Sequence, residues 1–238
     1  MARGALELSH MQRFSIILLT LLVFSSCDIR SADDYFDEAF DLEEDGKYEE
    51  AIGLLNKAIN KRRNFRPALI NRGADKSMIG DFEGAIEDYK LILAFDPKNT
   101  MVLNNIGNNF KRLEKYQIAI NYYNEALKTE GAIKSDSIRL FINYAGRWDS
   151  DSDYRVKDFE IIHERGIAHL YLNNYNSGIE DLKTSIKYGF EIGNSHSWLG
   201  QTFLKLNDTL NARKHLKEAV TYGFIDAEKL LKGLKKSE

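Results

Sequence analysis

The sequence predicts an all-α solenoid of five helix–turn–helix repeats, with an insertion between the third and fourth and a capping helix at the end. Three observations predict it. A small residue recurs every 34 positions, with one longer gap: Ala51, Ala85, Ala119, Gly178 and Ala212. A second small residue precedes each by twelve: Ala39, Gly73, Gly107, Gly166 and Gly200. An aromatic residue lies three positions before four of the markers: Tyr48, Phe82, Tyr116 and Tyr175.

Each repeat is expected to be two amphipathic helices joined by a tight turn. Turn-forming residues separate the two helices in four repeats: Gly46, Gly80, Asn173 and Asn207. A single helix of this length cannot bury its apolar face alone, so stacked copies must bury those faces against one another. The small residues allow the paired helices to approach closely. The 59-residue gap between Ala119 and Gly178 exceeds one period and places the insertion there.

The pattern resembles the tetratricopeptide repeat (TPR) family over residues 32–224. The second repeat, NRGADKSMIGDFEGAIEDYKLILAFDP, carries the resemblance best. The third repeat departs from the pattern with Glu114 at the turn. The last two repeats end in Tyr-Gly-Phe, where Gly189 and Gly223 are expected to be left-handed helix caps. The resemblance implies a right-handed superhelix whose first helices line a concave, protein-binding groove.

These patterns divide the chain into six segments. They are a signal peptide at 1–26, a tether at 27–31, repeats 1–3 at 32–130, the insertion at 131–158, repeats 4–5 at 159–224, and a lysine-rich capping helix at 225–238.

The first segment has the form of an export signal that starts at Met11. Arg13 precedes an apolar run of 11 residues, Phe14 to Phe24, which is shorter than the roughly 20 residues that span a bilayer. The run ends in Ser-Ser-Cys, which resembles a bacterial lipoprotein box with Phe24 where leucine is usual. The resemblance implies that Cys27 is lipidated and anchors the protein in the cell envelope, facing the periplasm or the exterior. The alternative is an ordinary secretory signal with an incidental cysteine.

Composition points away from several functional classes. The chain has 33 basic and 36 acidic residues, without the basic excess of a nucleic-acid binder. No phosphate-binding loop, nucleophile elbow or zinc motif is present, and no two histidines are spaced as a metal pair on one helix. We therefore expect neither an enzyme nor a bound cofactor.

The repeat phase predicts which residues line the groove. The resemblance assigns this surface to the first helices, and the acidic first repeat then contributes Phe36, Asp37 and Phe40. An acidic groove with aromatic rings suits a basic, partly apolar peptide. The later repeats contribute Asn71, Asn104, Asn105, Asn108, Glu164 and Trp198. Asparagine both donates and accepts, so it suits an extended peptide backbone or a carboxylate. The alternative is a polar, solvated helix face.

The insertion alternates large apolar side chains with arginines, a composition common at binding hot spots. We expect Arg147, Trp148 and Tyr154 to contact a partner, although the insertion could instead fold back over the groove or over the contact between repeats 3 and 4.

A weak calcium-binding pattern overlaps the insertion. Its carboxylates match the spacing of an EF-hand loop: Asp149, Asp151, Asp153 and Glu160. Tyr154 occupies the position where such loops need glycine, because the backbone adopts a positive φ there. The alternative is a polar loop with Asp158 as a helix N-cap.

Three hypotheses about function follow. The leading one is an envelope-tethered scaffold that holds a partner polypeptide in the groove and insertion. Lipid-anchored repeat proteins of outer-membrane assembly and pilus machinery are similar in architecture. The others are a calcium-responsive adaptor and a binder of small ligands or cell-wall fragments.

Overall fold

The computed structural model describes residues 28–134 and 154–236. The part of the chain so described forms eleven α-helices. The first helices of the five repeats are α1 (Ala32–Glu44), α3 (Arg66–Met78), α5 (Thr100–Arg112), α7 (Asp158–Tyr171) and α9 (Ile192–Lys205). The second helices are α2 (Tyr48–Lys61), α4 (Phe82–Leu93), α6 (Tyr116–Lys128), α8 (Tyr175–Lys187) and α10 (Thr209–Thr221). The last helix is α11 (Ile225–Lys236).

The helices pack in chain order, which confirms the predicted solenoid. Each first helix packs on the second helix of its own repeat, and each second helix packs on the next first helix. α11 covers the exposed side of α10, with Ala227 buried near Leu216 and Ala219. The core is therefore a row of apolar clusters, as expected for a repeat solenoid.

The small residues of the first helices lie where side chains of the second helices cross them. A Cβ on Gly73 would lie 2.8 Å from the Tyr89 ring, and one on Gly107 would lie 2.6 Å from the Tyr123 ring. A Cβ on Gly200 would lie 2.7 Å from Leu216. The close approach inferred from the sequence is therefore the physical reason for these glycines.

The turns between helices also follow the prediction. All four predicted turn residues have positive φ angles: Gly46, Gly80, Asn173 and Asn207. Glu114 adopts the same left-handed conformation, with φ at 58°, although this conformation is strained for a residue with a Cβ. Gly189 and Gly223, with φ at 76° and 84°, close the last two repeats as predicted.

A polar link that the sequence pattern did not reveal joins neighbouring repeats. In repeat 4, Arg165 donates to both carboxylate oxygens of Asp181 at 2.8 and 2.7 Å, and to Asn124 of the preceding repeat at 2.9 Å. In repeat 2, Arg72 likewise bonds Asp88 and, at 2.7 Å, Asn56 of the preceding repeat. Each arginine thus connects three helices.

The two ends of the insertion are paired with each other. β1 (Ala132–Ile133) and β2 (Val156–Lys157) form a short parallel pair, and the N–H of Val156 donates to the carbonyl of Gly131 at 3.0 Å. Asp158 is the first residue of α7, and Lys157 occupies the N-cap position without a side-chain hydrogen bond. The expected cap at Asp158 is therefore wrong by one position.

Candidate functional site

The first helices form one continuous surface, because polar or ring contacts join each of them to the next. Asn71 of α3 contacts Glu43 of α1, and Ser77 of α3 donates to Asn109 of α5 at 2.8 Å. Farther along, Lys111 of α5 forms an ion pair with Glu164 of α7. The rings of Tyr171 in α7 and Trp198 in α9 lie 5.3 Å apart. This surface is the one predicted to line the groove, and we call it the groove.

At the α1 end of the groove, the predicted residues divide into exposed and buried ones. Phe40 is 47% exposed, and Asp37 is exposed beside it on the same helix. Phe36 is only 3% exposed, and its ring lies 5.3 Å from that of Phe65. The prediction that Phe36 faces a partner is therefore wrong, because the chain entering α3 brings Phe65 over it.

Asn71 is also buried, at 6% exposure, so its predicted role as an amide open to a ligand is wrong. Its side-chain N–H group is directed at Glu43 of α1, with distances of 3.1 and 2.9 Å to the two carboxylate oxygens. The stacking of α3 on the first repeat turns this side chain towards α1. Asn71 therefore orients a carboxylate that borders the groove.

Asp75 lies one helical turn beyond Asn71 and is only 3% exposed. Its Oδ2 atom is fully buried and has no hydrogen-bond partner among the described residues. Burial, together with the nearby charge of Glu43, raises the pKa of Asp75 to about 8. Burial also raises the pKa of Glu43, partly offset by the hydrogen bond from Asn71.

An open hollow of about 270 Å³ lies between α3 and α5. Its wall includes Met78, Asn105, Asn108 and Arg112. Asn108 accepts a hydrogen bond from the Tyr123 hydroxyl at 2.8 Å. Asn105 and Asn108 line this hollow, whereas the partly buried Asn104 has an Oδ1 atom without a hydrogen-bond partner among the described residues.

The other end of the groove is aromatic. Tyr116 and Tyr171 stack with their ring centres 4.4 Å apart, and Trp198 meets Tyr171 edge to face. Tyr171 is 48% exposed, and a small cleft of about 40 Å³ separates it from Gln201 and Lys205. Trp198 thus belongs to a ring cluster, while Glu164 is held in its ion pair with Lys111.

The described part of the insertion packs onto the repeats. Tyr154 is 5% exposed, and the guanidinium of Arg66 lies 4.9 Å from the centre of its ring. The expectation that Tyr154 contacts a partner is therefore wrong: it closes one side of a 300 Å³ hollow beside Asp96 and Gly131. Arg147 and Trp148 fall outside the described residues.

Only one of the four predicted calcium ligands, Glu160, lies among the described residues. Asp149, Asp151 and Asp153 lie outside the described residues. Glu160 lies in α7, where burial raises the pKa of its carboxyl. Across residues 28–134 and 154–236, no three histidine, cysteine or carboxylate side chains are grouped so as to hold a metal.

Cys27 also lies outside the described residues. None of the helices in the described ranges is long and apolar enough to cross a membrane.

Two histidine clusters have no signal in the sequence, because their members come from different helices. Nδ1 of His163 lies 3.1 Å from the hydroxyls of both Ser185 and Ser195. Ser185 donates to the carbonyl of Phe190, so these side chains form a buried hydrogen-bond network. His196 and His215 meet through their Nδ1 atoms at 2.8 Å, which requires one of the two to be protonated there.

Comparison with known proteins agrees with this architecture. The tetratricopeptide repeat family matches residues 102–132. MamA from Desulfovibrio magneticus RS-1 superposes with a TM-score of 0.64 at 16% identity, covering 80% of this chain and 93% of that one. The fold is a tetratricopeptide-repeat solenoid. YrrB, described as a TPR protein with an unusual peptide-binding site, superposes with a TM-score of 0.62 at 14% identity, covering 83% of this chain and 90% of YrrB.

Curated relatives are similar to part of this sequence. The BBSome complex member BBS4 of Bos taurus is 24% identical over 175 residues, or 74% of this chain and 29% of BBS4. The Mus musculus protein is 26% identical over 153 residues, or 64% of this chain and 25% of BBS4. The chain thus spans about a quarter of the length of these relatives.

Proposed function

We propose that this protein is a scaffold that binds a partner polypeptide along the groove of its first helices. The observation that carries the proposal is the continuous surface of the first helices, which bears both exposed apolar side chains and amides. Phe40 and Met78 are 47% and 64% exposed, and Asn105 and Asn108 line the hollow between α3 and α5. Apolar anchors with nearby amides suit an extended peptide.

The relatives support this class of function. YrrB is described as having a peptide-binding site, and BBS4 as a member of a protein complex. Neither likeness identifies a partner for this chain, because a shared fold does not fix the ligand.

The second part of the proposal is a lipid tether at Cys27. A basic residue, an 11-residue apolar run and the sequence Ser-Ser-Cys support export followed by lipidation. The tether would hold the first repeat near the membrane, because five residues of extended chain reach at most roughly 18 Å.

The groove is tested by crosslinking capture from the native cells. We compare the wild type with a variant that carries Phe40→Ser, Met78→Ser and Asn105→Ala. The control carries Leu91→Ser and Ile118→Ser, which remove exposed apolar side chains from the second helices α4 and α6. We expect the wild type and the control to capture the same partner, and the groove variant to capture at least tenfold less of it. Equal capture by all three proteins would contradict the proposal.

The tether is tested with a labelled fatty acid in a bacterial host that expresses the full chain. The wild type should incorporate the label and sediment with membranes, whereas Cys27→Ser should do neither. A wild type that is exported without the label would support the ordinary secretory signal instead.

A further inference from the structure

Among the described residues, a pair of carboxylates in the groove has no counterion. Glu43 of α1 is close enough to Asp75 of α3 to act on it electrostatically, and Asn71, one helical turn before Asp75, donates to Glu43. Glu43 is partly exposed at the groove surface, whereas Asp75 is recessed behind it at 3% exposure. The two acids thus form an outer and an inner acceptor.

The neighbouring basic residues are engaged elsewhere. Arg72 and Lys76, on the same helix as Asp75, both form ion pairs with Asp88 of α4. Within the described residues, no basic side chain forms an ion pair with Glu43 or Asp75, and the Oδ2 atom of Asp75 has no donor. A buried carboxyl oxygen without a hydrogen-bond partner is unusual in a folded protein, which makes Asp75 a candidate for contact with a ligand.

We propose that Glu43 and Asp75 form a receptor for a lysine side chain of the bound polypeptide. The inference rests on the proposed function, because it names one feature of the chain that the groove accepts. A lysine ammonium supplies three N–H donors, enough for Glu43 and the recessed Asp75 together. Its unbranched stem is narrower than the planar guanidinium of arginine, so we expect lysine to reach the recessed Asp75 more readily than arginine.

The surroundings favour an organic cation over a metal ion. Calcium takes six to eight oxygen ligands, whereas this site offers two carboxylates and no third acidic or histidine ligand among the described residues. Phe40 lies three residues before Glu43 on α1, and Met78 three residues after Asp75 on α3, so each shares a helix face with its acid. Both are exposed and suit the apolar stem of a lysine and its neighbours.

Binding of a cation should be linked to a proton. With a pKa of about 8, Asp75 is largely protonated in the free protein at pH 7. An ammonium at the site favours the ionised carboxylate, so the protein should release a proton when it binds. Calorimetry at pH 7 in buffers of different ionisation enthalpy measures that release.

The test uses Nα-acetyl-lysine methylamide as the probe in an NMR titration. Amides of α1 and α3 should shift in a saturable way, more strongly at pH 8.5 than at pH 6. Asp75→Asn should weaken the affinity at least tenfold. Asp41→Asn, which removes an exposed charge from α1, should leave it within twofold.

Three results would overturn the receptor. They are equal shifts with the neutral Nα-acetyl-norleucine methylamide, equal affinity of the Asp75→Asn protein, or saturable shifts with calcium chloride in place of the lysine probe. The same variants in the crosslinking capture separate this inference from the proposed function. A partner retained undiminished by Asp75→Asn, but lost by the groove variant, would leave the scaffold intact and remove the receptor.

Discussion

At the scale of single residues, Asp75 makes stability depend on pH. Its pKa is raised from 3.8 in the unfolded chain to about 8 in the fold, so the native state binds the extra proton between these values. The contribution of Asp75 to the free energy of unfolding therefore falls as pH rises from about 4 to 8. Asp75→Asn should change the free energy of unfolding little at pH 5 and raise it by about 1–3 kcal/mol at pH 8.

Urea unfolding at the two pH values measures this difference. Asp41→Asn is the matched control, because it makes the same chemical change at an exposed position of α1. A stabilisation by Asp75→Asn that is equal at pH 5 and pH 8 would show that Asp75 is ionised throughout.

A second residue, Glu114, holds a conformation better suited to glycine. Its φ of 58° brings the Cβ close to the backbone, at a cost of about 1 kcal/mol that glycine avoids. Glu114→Gly should therefore raise the free energy of unfolding by about 0.5–1 kcal/mol. Asn207→Gly at the equivalent turn should raise the free energy of unfolding by less, because asparagine tolerates the left-handed region. Thermal unfolding of both variants compares the two gains.

At the scale of the helix pair, the close approach of α5 to α6 depends on Gly107. A Cβ there would lie 2.6 Å from the Tyr123 ring, which is completely buried. Gly107→Val should lower the free energy of unfolding by about 1–3 kcal/mol, because the tyrosine must move. Gly53→Ala in α2 meets no atom within 4 Å and should instead stabilise by about 0.5–1 kcal/mol. Denaturant midpoints with unchanged slopes would establish both effects.

The sequence predicts the helix pairs well, because the repeat fixes which face of each helix is small or apolar. It predicts the groove less well. Phe36 and Asn71 have the correct helical phase, yet Phe65 and Glu43 from neighbouring elements cover them. Periodicity predicts which face of a helix carries a side chain, but it does not predict whether another helix or loop buries that side chain. The contact between Arg165 and Asn124, 41 residues apart, leaves no local signal in the sequence.

At the scale of the whole molecule, Arg165 joins the repeats on either side of the insertion. Arg165→Met would leave Asp181, which is 7% exposed, buried without its counterion. We expect the free energy of unfolding to fall by about 3–5 kcal/mol, because an unpaired buried charge is strongly destabilising. In a solenoid each repeat contacts only its neighbours, so hydrogen exchange should accelerate in repeats 4–5 more than in repeats 1–2.

The double variant Arg165→Met with Asp181→Leu controls for this interpretation. Replacing both charges with apolar side chains should recover most of the loss, since the destabilisation comes from the orphaned carboxylate. A double variant as unstable as the single one would assign the loss to packing around Arg165 instead.

The short pairing of β1 with β2 has a consequence for how this chain can vary. Ala132 lies beside Val156, so the chain leaves the solenoid and re-enters it at one point. Because these two ends are neighbours in space, a change in the length of the chain between them should leave the register of the repeats before and after it unaltered. We therefore expect this position in the chain to tolerate variation in length that no position inside a repeat could accept.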